Sequence, residues 1–541
     1  MKKFLMRLHE ATLLFTLFVL SLNLSAQPGY FPHLQKNGKV TQLMVDGRPY
    51  QMLAGELGNS SSSDSVYLTA IWPKLKAMHL NTVLVPVYWE LVEPEEGQFN
   101  FQLIDQMIRQ SRENKIKLVL LWFGSWKNSM SCYAPAWVKE DFKRFPRIKD
   151  KKGRSAEILS PFYNENLEAD REAYVQLLKH IARRDKSHQV IMVQVENEIG
   201  MLPGARDYSD AANQKFNEDV PRKLIDYLVS HRNELQPHLL NLWSSQGFKT
   251  KGNWDQVFGK GLATDEVFIA WYLASYANHI AAAGQKVLPV PLYVNCALNR
   301  PGLNPGQYPS GGPLPHLIDV WKAAAPDLNL LSPDIYHGDF REWSRKYDLT
   351  NNPLFIPEIR RGAENGTQAL YVLGKHHALG FSPFSIESTD NPEDYSLTQS
   401  YQLISQVQNM LDKHPQTGVW FDYSHQRDTL HFGNYKIIAS HDFTLGWSPD
   451  SKLDDWPASG GIIIQTTDNE FWVIGTGLVL TFFNAENPVM NVGLLAVDEA
   501  EKKGDNWHFR RLNGDQTHQG RHVRIPSGQW MIQRVSLYDY P

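Results

Sequence analysis

Apolar and polar positions follow two textures along this chain, and the change comes near residue 415. Up to that point, short apolar runs of β-type residues alternate with stretches of helical periodicity. The apolar runs are Met52–Glu56, Thr82–Tyr88, Lys117–Trp122, Val190–Glu196, Pro291–Asn295, Leu330–Tyr336, Leu354–Glu358 and Phe381–Ser385. Helical spacing recurs between them, as in Leu103, Met107 and Ile108, or Ala173, Leu177, Leu178 and Ile181. Strand and helix in strict alternation predict an α/β fold, and eight strands predict a (β/α)8 TIM barrel. Ahead of the first run, Gly38–Val45 and Tyr50–Ala54 flank the turn Asp46-Gly47-Arg48 and read as a hairpin leading into the barrel.

Past Pro415 helical periodicity stops. Gly418-Val-Trp-Phe, Tyr435-Lys-Ile-Ile-Ala, Gly461-Ile-Ile-Ile-Gln, Phe471-Trp-Val-Ile-Gly and Leu478-Val-Leu-Thr-Phe-Phe are short runs parted by turn residues. They predict a second unit, a β-sandwich over residues 416–541, after a barrel domain over 27–415. The interval between the fourth and fifth runs is too long for one helix. Residues of about 208–260 are expected to form an insertion with a helix near Lys223 to Ser230.

Composition changes this picture in three places. Residues 1–26 carry Lys2, Lys3 and Arg7 ahead of Leu13–Leu20 and a cleavage site after Ala26, the pattern of a signal peptide. An exported chain, periplasmic or secreted and with no membrane span after processing, is the expectation. A formal charge of −4 offers no basic field, so no nucleic-acid partner is expected. Two cysteines, Cys132 and Cys296, build neither a thiolate metal site nor a disulfide framework.

The chemistry gathers at two strand ends. Gln194-Val-Glu-Asn-Glu-Ile-Gly200 puts Asn197 and Glu198 at the tip of the fourth run, and Glu358 ends the seventh. Two carboxyls on separate strand ends of one barrel are what glycoside hydrolysis requires. Glu198 suits the acid/base and Glu358 the nucleophile, with Arg360 and Arg361 nearby to favour its ionised form. Strand alternation would turn Asn197 away from Glu198, so both serve one site only if the tip departs from regularity. Glu196 shares parity with Glu198 and is expected in the barrel interior, one layer deeper. Further candidates for substrate contact are Glu56, Tyr88, Asn128, Tyr336 and the indoles Trp89 and Trp122. Asp334 and His337 have no third partner at supporting spacing, so no metal is expected, and hydrolysis needs no cofactor. Trp420, Trp472 and Trp530 are expected to pack the sandwich against the barrel.

These motifs resemble a known family. The Gln-Val-Glu-Asn-Glu-Ile-Gly run, Trp89-Glu-Leu-Val-Glu-Pro94 with Gly97-Gln-Phe-Asn-Phe101, and Pro135-Ala-Trp137 look like glycoside hydrolase family 35, clan A β-galactosidases with a barrel. The resemblance implies Glu198 as acid/base, Glu358 as nucleophile and Asn197 on the sugar 2-hydroxyl. It implies a retaining exo-β-galactosidase acting on galactose-containing oligosaccharides or polysaccharides. The chain departs from the family at Trp126-Lys127-Asn128, where better-known members carry Cys-Ala-Glu, leaving Asn128 to bond a hydroxyl. It departs again at Pro86, where Tyr88 is the expected substitute for a pocket tyrosine. Two alternatives stay open: another clan A specificity, such as an exo-β-glucosidase, a glucosaminidase or an endo-glycanase, and a non-catalytic carbohydrate-binding protein.

Overall fold

Apolar runs with no polar alternation need cover on both faces, and the computed structural model, which describes residues 31–541, supplies it. The eight strands are Met52–Glu56, Thr82–Tyr88, Lys117–Lys127, Val190–Asn197, Leu292–Ala297, Leu330–Ile335, Ile356–Ile359 and Gly380–Pro383. They close into one barrel in chain order, with every neighbouring pair parallel. Met52, Ala54, Leu84, Val119, Leu121, Phe123, Met192, Tyr293 and Leu330 fill the interior. The alternate residues pack outward on the helices, as Leu118, Leu120 and Trp122 do on the third strand. That period of two decides which strand-end side chains face the barrel mouth. Residues 1–26, read from sequence as a signal peptide, lie outside the described residues.

The N-terminal hairpin differs from expectation. Val40–Val45 pairs chiefly with the preceding strand His33–Asn37, in register Leu34 with Leu43, and Arg48–Pro49 adds only two residues. The turn that reverses the chain sits at Gly38, whose φ of +61 suits a residue without Cβ. Leu43 and Val45 then join Met52, Leu330 and Phe355 and plug the bottom of the barrel. The interval after the fourth strand holds four helices, Asp210–Asn217, Arg222–Ser230, Pro237–Ser245 and Trp254–Phe258, ahead of the long helix Leu262–Gln285.

From Gln416 the chain forms a six-stranded and a four-stranded antiparallel sheet. Val419, Phe421, Ile463, Phe471 and Val473 face Leu430, Ile437 and Leu480 across the sandwich. Their neighbours Trp420, Ile462, Ile464, Trp472 and Ile474 face the other way, into the core built on the barrel helices. An Ile-Ile-Ile run is therefore the mark of a sheet buried on both sides. The contact with helix Asn365–Lys375 is close: a Cβ at Gly374 would stand 2.8 Å from the backbone of Gly418. Trp420 donates its indole N–H to Thr367 Oγ1 at 3.0 Å and carries the Arg341 guanidinium over its ring at 4.2 Å. Trp530 touches Gly366 on the same helix. The three indoles are interface residues, as expected.

Removing one of them has a measurable consequence. Trp420→Ala is expected to cost about 3–5 kcal/mol, the usual result of truncating a buried aromatic. Urea unfolding followed by circular dichroism would show an earlier transition or a separate first phase. An unshifted midpoint would mean that the sheet does not rely on this contact. Among the described residues, no helix is long and apolar enough to cross a membrane.

Candidate active site

The fourth strand breaks its own regularity at the tip, and the site follows from that break. Glu196 and Glu198 both adopt left-handed backbone, with φ of +61 and +46. Such conformations cost non-glycine residues of order 1–3 kcal/mol and need surrounding support. The support is a buried cluster behind the barrel. Trp126 N–H donates to Glu196 Oε2 at 2.7 Å, and the Glu196 carboxyl bonds to that of Asp170 on helix Asn164–Arg184. Asp170 also accepts from Trp122 Nε1 at 2.8 Å, Ser125 N at 3.1 Å and the Tyr276 hydroxyl at 3.1 Å. Burial first, then the Asp170 charge, holds the Glu196 carboxyl well above the usual range. Glu196 thus departs from the expected place in the barrel interior, because the left-handed residue reverses the strand's alternation. It braces the tip from outside instead.

At the mouth, one oxygen each from Glu198, Asp334 and Glu358 lies within 4.8 Å of the others. Asp334 and Glu358 are register partners on the sixth and seventh strands. Glu198 is fixed through its backbone, whose N–H donates to Asn295 Oδ1 at 2.8 Å, while the Asn295 amide donates to Asp334 Oδ2 at 2.7 Å. Asn128, in the turn after the third strand, donates to Glu198 Oε2. Glu358 accepts from the Tyr336 hydroxyl and shares a hydrogen bond with Glu56 at the end of the first strand. Asn197 is fully buried, yet neither polar atom of its amide has a partner. A buried amide left unmatched costs about 1–3 kcal/mol, and this one leaves both its polar atoms open to a further partner.

The electrostatics divide these carboxyls into two pairs. Burial, followed by the Glu358 charge, pushes Glu56 well above the carboxylate range, and burial followed by the Glu358 and Glu198 charges does the same to Asp334. Both are therefore held toward the protonated form, in which each donates to a neighbour, Glu56 to Glu358 and Asp334 to Glu198. Glu358 is pushed up to about 7 by burial and by Glu198, against the downward pull of Lys127, Tyr336 and Glu56. Glu198 is raised as well, chiefly by burial. Burial raises both, but two O–H donors support the anion at Glu358 and only one, the Asp334 carboxyl, supports it at Glu198, which sets Glu198 as the better proton donor of the two. The same three-oxygen cluster is tight enough for a cation, but its carboxyls are biased toward holding protons.

Of the residues singled out from sequence, Glu56, Asn128, Asn197, Glu198, Tyr336 and Glu358 come together. Tyr88 keeps an inward position on the second strand but spends its hydroxyl on Ser62 Oγ at 2.9 Å. Asn128 touches Glu198 and not an open sugar position. Trp89 and Trp122 do not line the mouth. Trp89 opens the short helix Trp89–Val92, fully buried with its N–H on Glu93 Oε2 at 3.0 Å. Trp122 has the outward parity of its strand and reaches Asp170 behind the barrel. Arg360 and Arg361 are exposed, and Arg361 donates to the Ser385 carbonyl; the cation acting on Glu358 is Lys127.

Two site residues, Asn295 and Lys127, escaped the sequence reading, and Asp334 was weighed there only as a metal ligand. Asp334 shares parity with Tyr336 along Leu330–Ile335, a signal that was there to use, and its partners are spatial rather than sequential. Asn295 lies two residues before the end of the fifth strand, inside an otherwise apolar run. Lys127 follows an irregular stretch of the third strand, where its pairing with the fourth skips from Trp122 to Lys127, so parity gave no guidance. Cys132 and Cys296 are both free thiols.

A family model described as "Beta-galactosidase", glycoside hydrolase family 42, matches residues 66–258, and one described as a domain of unknown function, DUF5597, matches 397–524. The chain is 29% identical over 183 residues to a β-galactosidase of Xanthomonas manihotis, covering 32% of this chain and 28% of that protein. It is 22% identical over 299 residues to the β-galactosidase GalA of Bacillus licheniformis, covering 53% of this chain and 40% of the relative. The chain thus spans less than half the length of these two curated relatives. Among solved structures, a β-galactosidase of Bacillus circulans sp. alkalophilus aligns with a TM-score of 0.47 at 13% identity, over 67% of this chain and 57% of that one. The matching model is that of family 42, not family 35, and what remains of the motif resemblance is the coarser likeness to β-galactosidases.

Proposed function

We propose that this chain is a retaining β-glycosidase that removes terminal β-galactose from oligosaccharides or polysaccharides. One observation carries the reading: oxygens of Glu198 and Glu358, from the fourth and seventh strand ends, lie within 4.8 Å of each other. Retaining enzymes hold their two carboxyls about 5–5.5 Å apart, whereas inverting ones leave about 6.5–9.5 Å for a water. Glu358, fed by two hydroxyl donors, attacks the anomeric carbon while Glu198 passes its proton to the departing glycosidic oxygen. Glu198, now ionised, then takes a proton from water, which opens the glycosyl ester and returns Glu358 to its carboxylate. The unmatched amide of Asn197 meets the hydroxyl beside the anomeric carbon. The galactose assignment draws on the family 42 match and the β-galactosidase relatives. Export is part of the proposal and rests on residues 1–26.

A second reading keeps the mechanism and changes the sugar. Asn128 is engaged with Glu198, so the residue expected to hold a distal hydroxyl is not free to do so. One measurement bears on both readings. Proton NMR during the first minutes of reaction with an aryl β-galactoside should show β-galactose before mutarotation. The α-anomer appearing first would rule out the covalent route. Turnover confined to glucosides or glucosaminides would remove galactose while leaving retention intact.

A further inference from the structure

We propose that Lys127 is the counter-charge of the site, a positioning residue that keeps Glu358 ionised from a distance without pairing with it. The inference deepens the glycosidase reading and rests on it. Four carboxyls converge here: Glu56 from the first strand, Glu198 from the fourth, Asp334 from the sixth and Glu358 from the seventh. The phenols of Tyr293 and Tyr336 face the same space from the fifth and sixth. Lys127 is the cation acting among them, and only 5% of it is exposed.

Its placement separates it from an ordinary ion pair. The side chain folds back along the third strand, with Nζ 5.0 Å above the centre of the inward-facing Phe123 ring. That ring face gives the ammonium a partner in a dry setting. No carboxylate oxygen of the described residues lies within 4.0 Å of it, yet it pulls down the protonation of Glu56, Glu198 and Glu358 together. A direct salt bridge would occupy the lone pairs that must attack the anomeric carbon. A cation one step removed lowers the cost of the buried negative charge and leaves the attacking oxygen open. With Arg360 and Arg361 exposed at the rim, no other cation has this position among the described residues.

The test compares the full chain with Lys127→Met and Lys127→Arg. Losing a positive charge makes the Glu358 carboxylate less favourable, so its protonation extends to higher pH. The acid limb of kcat/KM should move up by about one pH unit in K127M. Well below both limbs the rate should fall about tenfold relative to wild type, and above the new limb it should largely recover with KM little changed. K127R, which keeps the charge, should keep the wild-type limb. An unmoved limb in K127M overturns the proposal: with raised KM, Lys127 is a sugar contact, and with only a lowered melting temperature it is packing over Phe123. A shifted limb in K127R overturns it too, and covers the case of K127M failing to fold. Carbon NMR titration of protein labelled at glutamate carboxyls reads Glu358 without substrate, its signal identified by its absence from Glu358→Gln. If the wild type hydrolyses no galactoside, the function reading fails while this titration still decides Lys127. Equal midpoints in wild type and K127M would sink the counter-charge alone.

Discussion

Glu358→Ala is expected to lose turnover of an aryl β-galactoside by roughly 10^4- to 10^6-fold, the scale on which removal of a covalent nucleophile acts. The fold should survive it. Glu358 is one of four carboxyls crowded at the barrel mouth, and burial and the Glu198 charge already oppose its ionisation. Its folded titration near 7 lies above the unfolded value of about 4.3, so the folded state binds that proton more tightly. Stability from this group is therefore present at low pH and is lost as pH rises from the unfolded value through about 7. The alanine variant should lose this part of the pH dependence and melt no earlier than wild type at neutral pH. Azide, small enough for the space left by the carboxyl, should restore some turnover and give an α-galactosyl azide, since it attacks from the side Glu358 occupied. A variant with wild-type rate, or a β-azide product, would show that Glu358 is not the nucleophile.

Glu198→Ala should separate substrates by their leaving groups. General acid catalysis contributes about 10^2- to 10^4-fold, so an alkyl galactoside or a disaccharide should slow by that much. A nitrophenyl galactoside needs little protonation to depart, and its first step should be nearly unaffected. With no base left to activate water, the second step becomes limiting, and product should appear as a burst followed by a slow phase. Azide should then yield a β-azide, attacking the glycosyl intermediate from the face Glu198 served. Equal slowing of both substrates, without a burst, would assign Glu198 a positioning role and move the acid elsewhere, with Asp334, its hydrogen-bond partner, the first candidate.

Much of the frame was legible because burial writes directly on composition. A strand covered on both faces favours apolar residues, so the eight runs stood out, with observed ends within two residues of those read except on the third strand, which runs on from Trp122 to Lys127. The change near residue 415 was visible for the same reason, and Ile462-Ile-Ile464 marked a sheet enclosed by the sandwich on one side and the barrel helices on the other. Glu198 and Glu358 were legible as charges at the ends of such runs, where a polar side chain has no place unless the strand opens into a site.

Side-chain direction was legible only where the backbone stayed regular. On the third strand, parity sends Trp122 outward to Asp170, and the aromatic type alone had suggested the pocket. On the fourth, the positive φ at Glu196 and Glu198 reverses parity, turning Glu196 to the outside; nothing in the residue types announces it. Pairs of strands that are distant in sequence then decided the rest. Closure of the barrel brings Glu56, Lys127, Asn295, Asp334 and Glu358 to one point although some 300 positions separate the first from the last. Sequence by itself determined the barrel, the appended sandwich and the two glutamates, since each is set by local burial and periodicity. Which carboxyls burial pushes toward the protonated form, and that Lys127 lies among them, only the tertiary structure decided, because desolvation and Coulomb interaction depend on distances in space that spacing along the chain does not contain.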